Sequence, residues 1–318
     1  MDSTFVVGID VGGQTSKIGV VDARGTVLAQ TVIRTDTYDK VEPYIAELAE
    51  AVNKLIKESG TEGNVRGIGV GAPNGNYYTG TIENAPNLLW GRERVEFAKL
   101  LSEAMGGLPV ALTNDANAAA VGEMTYGAAR GMKNFIMITL GTGVGSGIVI
   151  NGEVVYGHDG FAGELGHTAA VRNNGRTCGC GKTGCLETYA SATGVARTAR
   201  EWLELTDEPS LLRGLDSIAS KDVYEAAKEG DKFALKVFDF TGKVLGRSFA
   251  DFIAFSSPEA IVLFGGLARA KEFLLGPIEE AMNANVMPLW KNKVKIVFSQ
   301  LKESDAAILG ASALAWEL

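Results

Sequence analysis

Phe5-Val-Val-Gly-Ile-Asp10, Gly12-Gly13 and Ile18-Gly-Val-Val21 are echoed far downstream by Phe135-Ile-Met-Ile-Thr-Leu140, Gly141-Thr-Gly-Val-Gly-Ser-Gly147 and Ile148-Val-Ile150. Each copy is a short apolar, β-branched run, a glycine-rich turn and a second apolar run, which predicts a hairpin. One design used twice predicts two lobes. A glycine turn lets backbone N–H groups converge on an anion, because glycine has no Cβ to hold the ligand away. The competing reading is two unrelated hairpins that share glycine turns.

Outward from the first copy, Asp22 to Gly25 reads as a turn and Val27 to Arg34 as a third strand. Val41, Ile45, Leu48, Val52, Leu55 and Ile56 have helical spacing, and Arg66 to Gly71 returns to strand. The unit is βββαβ. The second copy continues through a turn at Asn151-Gly152 into Val154-Val155-Tyr156. Between the copies, Pro109 to Leu112 reads as a strand that ends in Thr113-Asn114-Asp115, and Ala116 to Glu123 reads as a helix. Asp115 therefore stands where a strand meets a helix N-terminus. It is either a cap for free N–H groups or a carboxylate placed to take a hydroxyl proton in phosphoryl transfer. The C-terminal segment Ala306 to Trp316 carries Ile308, Leu309, Ala313 and Trp316 at helical spacing, and is expected to return to the first lobe.

All three cysteines and one of the two histidines lie together as His167, Cys178, Cys180 and Cys185. A Cys3His set fills a tetrahedral zinc and leaves no position for water, which points to a structural site. Two carboxylates flank it, Glu164 and Glu187. Buried thiols with a core histidine are one alternative. A disulfide is another, disfavoured by the odd cysteine count and the short Cys178–Cys180 spacing. Gly175 to Thr183 imitates a Walker loop but has five residues between its glycines, and Gly141 to Gly147 departs from the dinucleotide fingerprint at Ser146.

The chain has 318 residues, 46 % of them hydrophobic, enough for a large core and two domains. Its net charge of −8 argues against nucleic acid as a partner. Apolar runs such as Phe135 to Leu140 and Ile261 to Phe264 are strand length, so no membrane span is expected. Strand-like sequence from Phe5 leaves no signal peptide, and clustered cysteines suit a reducing cytoplasm.

Asp10-Val-Gly-Gly, Thr113-Asn-Asp-Ala-Asn117, Leu140-Gly-Thr-Gly-Val-Gly, Gly163-Glu-Leu-Gly-His167, Cys178-Gly-Cys-Gly-Lys-Thr-Gly-Cys-Leu-Glu187 and Phe264-Gly-Gly266 together resemble the ROK family of repressors, open reading frames and kinases. The resemblance covers nearly the whole chain. It implies an α/β, two-lobed, actin-like ATPase (sugar kinase) fold with duplicated βββαβ units around a central cleft. The lobes would be 1–115 with 305–318, and 116–304 with a zinc-binding insert at 167–185. It implies ATP and Mg2+ as phosphoryl source, structural Zn2+ on His167, Cys178, Cys180 and Cys185, and a homodimer or higher homo-oligomer. Asp115 would be the general base for a hexose hydroxyl. Asn114, Asp115, Glu164, His167 and Glu187 would hold the sugar, with Gly75, Asn76 and Asn87 as further contacts whose alternative is ordinary turn residues. Asp10, Gly12, Gly13, Gln14 and Thr15, with Gly141, Thr142 and Gly143, would hold the ATP phosphates. Gly265 and Gly266 would pass beneath the adenosine. The family's first loop carries threonine where Gln14 stands, so Thr15 or Ser16 is expected to supply the hydroxyl. The expected activity is phosphorylation of a hexose at the 6-hydroxyl, glucose first, with N-acetylmannosamine, fructose, mannose or allose as alternatives. A sugar-responsive regulator would need a DNA-binding domain, for which the nine residues before Asp10 leave no room.

Overall fold

The computed structural model describes residues 4–318. Contacts divide the chain into two units, one made of the chain up to Met132 with Val154–Gly163 and Gln300–Leu318, the other of Lys133–Glu153 and Glu164–Ser299.

The first unit opens with β1 (Phe5–Val11), β2 (Thr15–Asp22) and β3 (Val27–Arg34), an antiparallel meander. Helix α1 (Val41–Glu58) then crosses to β4 (Val65–Gly71), which pairs parallel with β1. The short hairpin β5 (Gly75–Asn76) and β6 (Thr81–Ile82) follows, then α2 (Phe97–Ala104), β7 (Val110–Thr113) and α3 (Asp115–Thr125). Sheet order is β3-β2-β1-β4-β7. The period of two along β1 sets the layers. Val7, Ile9 and Val11 join Tyr44, Ile45, Leu48 and Val52 of α1 in one core, while Val6 packs with Ile308 and Leu309 on the other face.

The second unit repeats the plan. β8 (Phe135–Leu140), β9 (Val144–Ile150) and β10 (Glu153–Val154) lead through α4 (Glu187–Ala190), α5 (Ala192–Leu205), α6 (Ser220–Lys228) and α7 (Lys232–Ser256) to β11 (Ala260–Phe264), parallel to β8. After α8 (Lys271–Asn285), β12 (Lys295–Phe298) adds in parallel to β11. The order β10-β9-β8-β11-β12 matches the first sheet strand for strand. Ile136, Ile138 and Leu140 of β8 share a core with Phe233, Phe238 and Phe249 of α7. Among the described residues, no helix is long and apolar enough to cross a membrane.

Two local expectations change. The expected loop Gly141 to Gly147 is only a three-residue turn, because Val144 already pairs with Leu140 and the Gly145 N–H donates to the Thr139 hydroxyl at 3.1 Å. The expected strand through Tyr156 ends at Val154, and the Tyr156 ring stacks instead on Tyr77, centroids 4.1 Å apart.

The last helix, α9 (Glu303–Leu314), returns to the first unit and lies over β1 and β4. Its approach is set by small residues. A Cβ on Gly69 would sit 1.9 Å from the Ala311 carbonyl oxygen, and one on Gly122 of α3 only 2.7 Å from Gly310 Cα.

Candidate active site

In the first unit, β1 ends one residue after Asp10 and β7 ends at Thr113, and both run parallel to β4, which lies between them, so Asp10 and Asp115 leave the sheet at the same edge on either side of β4. Asn114 is the N-cap of α3, its side-chain oxygen accepting from the Asn117 N–H at 2.7 Å. Asp115, the first helical residue, is thereby released from that duty; its Oδ1 accepts the Ala116 N–H at 2.9 Å. The Asp115 side chain is reachable by solvent, yet the protein around it displaces enough hydration to raise its carboxyl above the ordinary range, against the lowering effect of those N–H groups. Burial and then the charge of Asp115 raise Asp10 to about 6, opposed by Lys17, its partner across the β1–β2 ladder. The two carboxylates thus feel one another.

The first glycine turn is tight: the Gly12 N–H donates to the Thr15 carbonyl at 3.1 Å. Gly13 abuts Asn87, whose carbonyl oxygen would lie 2.8 Å from a Cβ at that position. The Gln14 side chain is exposed, while its carbonyl takes the Thr35 N–H at 2.9 Å. Of the two expected hydroxyls, Ser16 is committed elsewhere: it is buried and bonds Thr35 Oγ1 at 2.7 Å and the Tyr44 hydroxyl at 2.8 Å. Thr15 is part-exposed at the turn. Gly75 and Asn76 behave as framework. A Cβ on Gly75 would meet the Thr113 carbonyl at 2.4 Å. Asn76 is buried, its Nδ2 donating to the Asp159 carbonyl at 2.7 Å and its Oδ1 accepting the Tyr78 N–H at 3.1 Å. Asn87 is exposed beside the glycine turn.

In the second unit, His167, Cys178, Cys180 and Cys185 converge, one ligand atom of each lying within 4.8 Å of the others. Cys180 and Cys185 sulfurs are 3.7 Å apart, and Cys178 Sγ is 3.6 Å from His167 Nδ1. A tetrahedral zinc with bonds of about 2.3 Å to sulfur and about 2.0 Å to nitrogen spaces its ligands by about 3.7 and 3.5 Å. The residues therefore fit that ion, with Nδ1 on the metal side and Nε2 left for another partner. Backbone bonds shape the knot, from the Cys178 N–H to the Lys182 carbonyl at 2.8 Å and from the Gly184 N–H to the Arg176 carbonyl at 2.8 Å.

Glu164 leads a 3-10 turn, Leu165–His167, whose Leu165 N–H donates to Ser146 Oγ of β9 at 3.0 Å. Glu187 opens α4. Its Oε2 accepts the Val144 N–H at 2.9 Å and its Oε1 is 3.8 Å from Cys178 Sγ. Gly143 leaves room for that carboxylate, since a Cβ there would lie 2.2 Å from Oε2. The second glycine turn is held from α5: the Ala192 N–H donates to the Gly141 carbonyl and the Thr193 hydroxyl to the Thr142 carbonyl, both at 2.8 Å. Gly265, φ +104°, follows β11, and its Cβ position is filled by the Leu140 carbonyl oxygen at 2.6 Å; Gly266 is exposed. Ser146, Thr193 and Arg176 support this part of the site and were not legible as such, because their partners Leu165, Thr142, Thr188 and Glu201 lie far along the chain.

Comparison with known proteins places this arrangement. The sequence profile of the ROK family matches residues 6–317. A glucokinase of Halalkalibacterium halodurans is 39 % identical over 315 residues, 98 % of this chain and 94 % of that protein. A xylose repressor of Caldicellulosiruptor bescii is 28 % identical over 98 % of this chain and 78 % of its own length. Among solved structures, a ROK glucokinase from Streptomyces griseus in complex with glucose and AMPPNP superposes with a TM-score of 0.80 at 32 % identity, covering 99 % of this chain and all of that one.

Proposed function

The chain belongs to the ROK family, and we propose that it is an ATP-dependent hexose kinase that phosphorylates the 6-hydroxyl of glucose. The observation that carries the reading is Asp115: a carboxylate freed from capping by Asn114, solvent-reachable, and held at raised basicity by its surroundings. The nearby glucokinases, one solved with glucose and AMPPNP, support the substrate pair.

Asp115 accepts the hydroxyl proton as the sugar oxygen attacks phosphorus. A raised pKa improves it as a base. Asn114 keeps its NH2 for the sugar because only its oxygen caps the helix. On the second unit, Glu164, His167 through Nε2, and Glu187 contact the hexose; Asn87 is a further contact in the first unit. Gly75 and Asn76 set the backbone around the site. Gly12, Gly13, Gln14 and Thr15, with Gly141, Thr142 and Gly143, bind phosphates through backbone N–H groups, and Gly265 and Gly266 lie under the adenosine. Asp10 would hold the Mg2+ of MgATP, an ion that would supply charge neutralisation and favour the ionised carboxylate. Zinc on His167, Cys178, Cys180 and Cys185 supplies rigidity, fixing the imidazole so that its second nitrogen is aimed.

The test is a panel of glucose, mannose, fructose, allose and N-acetylmannosamine in a coupled ADP-release assay. Glucose is expected to give the highest kcat/KM. Turnover of another sugar at higher efficiency changes the substrate, and binding without turnover of any sugar favours the second reading, a sugar-responsive regulator, to which the likeness to a xylose repressor points.

A further inference from the structure

Arg176 lies in the stretch that imitates a Walker loop and has no part in the quoted family motifs, yet its side chain is only 9 % exposed and each arm of its guanidinium is occupied. Nε and Nη2 donate to Glu201 Oε2 at 3.1 and 2.6 Å, and Nη1 donates to the carbonyls of Thr188 at 2.8 Å and Gly194 at 3.4 Å. The guanidinium carbon stands 4.6 Å from the centroid of the Tyr189 ring, and the Tyr189 hydroxyl accepts the Arg176 N–H at 2.8 Å. These partners belong to α4 and α5 of the second unit, and Arg176 itself to the cysteine knot. Arg176 lies two residues before Cys178, and its own carbonyl takes the N–H of Gly184, next to Cys185. Thr188 and Tyr189 follow Glu187 in α4. Gly194 and Glu201 lie in α5, whose first residues hold the carbonyls of Gly141 and Thr142.

We propose that Arg176 is a positioning residue that locks the zinc knot and Glu187, the hexose end of the site, in register with the glycine turn that takes the ATP phosphates. The proposal rests on the kinase reading. A buried cation must be paired to be tolerated, and a planar fork is the group that can serve one carboxylate and two carbonyls at once while stacking on an aromatic ring. Lysine keeps the charge but presents a single nitrogen, so charge alone does not satisfy the hub. Because both substrate ends hang from one side chain, its loss affects the binding of both substrates together.

The experiment measures KM for glucose and for MgATP, kcat, zinc content and melting temperature in wild type, Arg176→Lys, Arg176→Ala and Glu201→Gln. Arg176→Lys is expected to fold with wild-type zinc content while both KM values rise on the order of tenfold, the scale typical of lost supporting contacts around a site, and kcat changes less. Glu201→Gln, which keeps the bonds to Thr188 and Gly194, shifts both values in the same direction by less. Millimolar guanidinium added to Arg176→Ala lowers both KM values together; should that variant fail to fold, Arg176→Lys and Glu201→Gln carry the test. Wild-type KM values in Arg176→Lys, a rise for one substrate only, or rescue of melting temperature without rescue of KM would overturn the proposal. A wild-type protein that phosphorylates no hexose overturns the kinase reading itself, which separates the two failures.

Discussion

At the junction of β7 and α3, two adjacent polar residues, Asn114 and Asp115, compete for the helix cap, and one takes it. The sequence left Asp115 as cap or base; the cap is Asn114, since its oxygen and not that of Asp115 meets the Asn117 N–H. Asp115→Asn is therefore expected to leave the helix intact and glucose binding measurable by calorimetry, while kcat falls about 10²- to 10⁴-fold, the span attributed to a positioned base. A near-normal kcat would mean that this carboxylate takes no proton. Asp10 makes a prediction about pH. Its folded carboxyl titrates near 6 against an unfolded value of 3.8, so the folded chain holds the extra proton between those values. Its contribution to stability is fully present below about pH 4, is lost as pH rises to about 6, and stays lost above. Asp10→Asn should accordingly melt higher than wild type at pH 7 in metal-free buffer, by an amount on the order of 1–3 kcal/mol, with the gap closing below about pH 4. A gap that persists at pH 4 would show that the gain is packing and not charge.

At the scale of elements, the Cys3His knot and the 3-10 turn Leu165–His167 act as one piece. The sequence disclosed the Cys3His cluster because metal sites need specific donors at short spacing, and these four side chains lie within one excursion between β10 and α4. It did not disclose that Glu187 bonds the first N–H of β9, which ties the knot to the glycine turn beside it. Cys180→Ser removes an exposed ligand and should bring zinc from about one per chain to near zero by elemental analysis. The glucose KM should rise with it, because His167 loses its anchor. Full activity in a zinc-free variant would separate the metal from the orientation of His167. The same short-range logic explains the hairpins: β3 spans Val27–Arg34 as the turn at Asp22 to Gly25 predicts, whereas β9 starts earlier than expected because the Thr139 hydroxyl and the Leu140 pairing draw glycines into the ladder.

For the molecule as a whole, the repeated strand order is the main result of the fold, and α9 is the element that departs from simple duplication by carrying the C-terminus back over β1 and β4. Gly69→Ala tests that return: its new methyl would sit 1.9 Å from the Ala311 carbonyl oxygen, so α9 must move, at a cost of about 1–3 kcal/mol by analogy with overpacked cores. Denaturant unfolding should show that loss, and wild-type stability would mean that α9 shifts freely. The sequence by itself determined the first βββαβ unit, the repeat of its opening strands in the second copy, the glycine turns, the Cys3His cluster and the strand-to-helix placement of Asp115, since these follow from side-chain period, backbone freedom and ligand chemistry over short stretches. Tertiary structure decided which of several suitable groups is engaged. Ser16 is spent on Thr35 and Tyr44, Asn76 on Asp159, and Arg176 on α4 and α5, while α3 joins the first unit through the contact of Gly122 with Gly310. Those outcomes depend on partners brought close only by packing, and a buried polar group takes whichever partner the packing supplies because leaving it unpaired costs more than any local preference it holds.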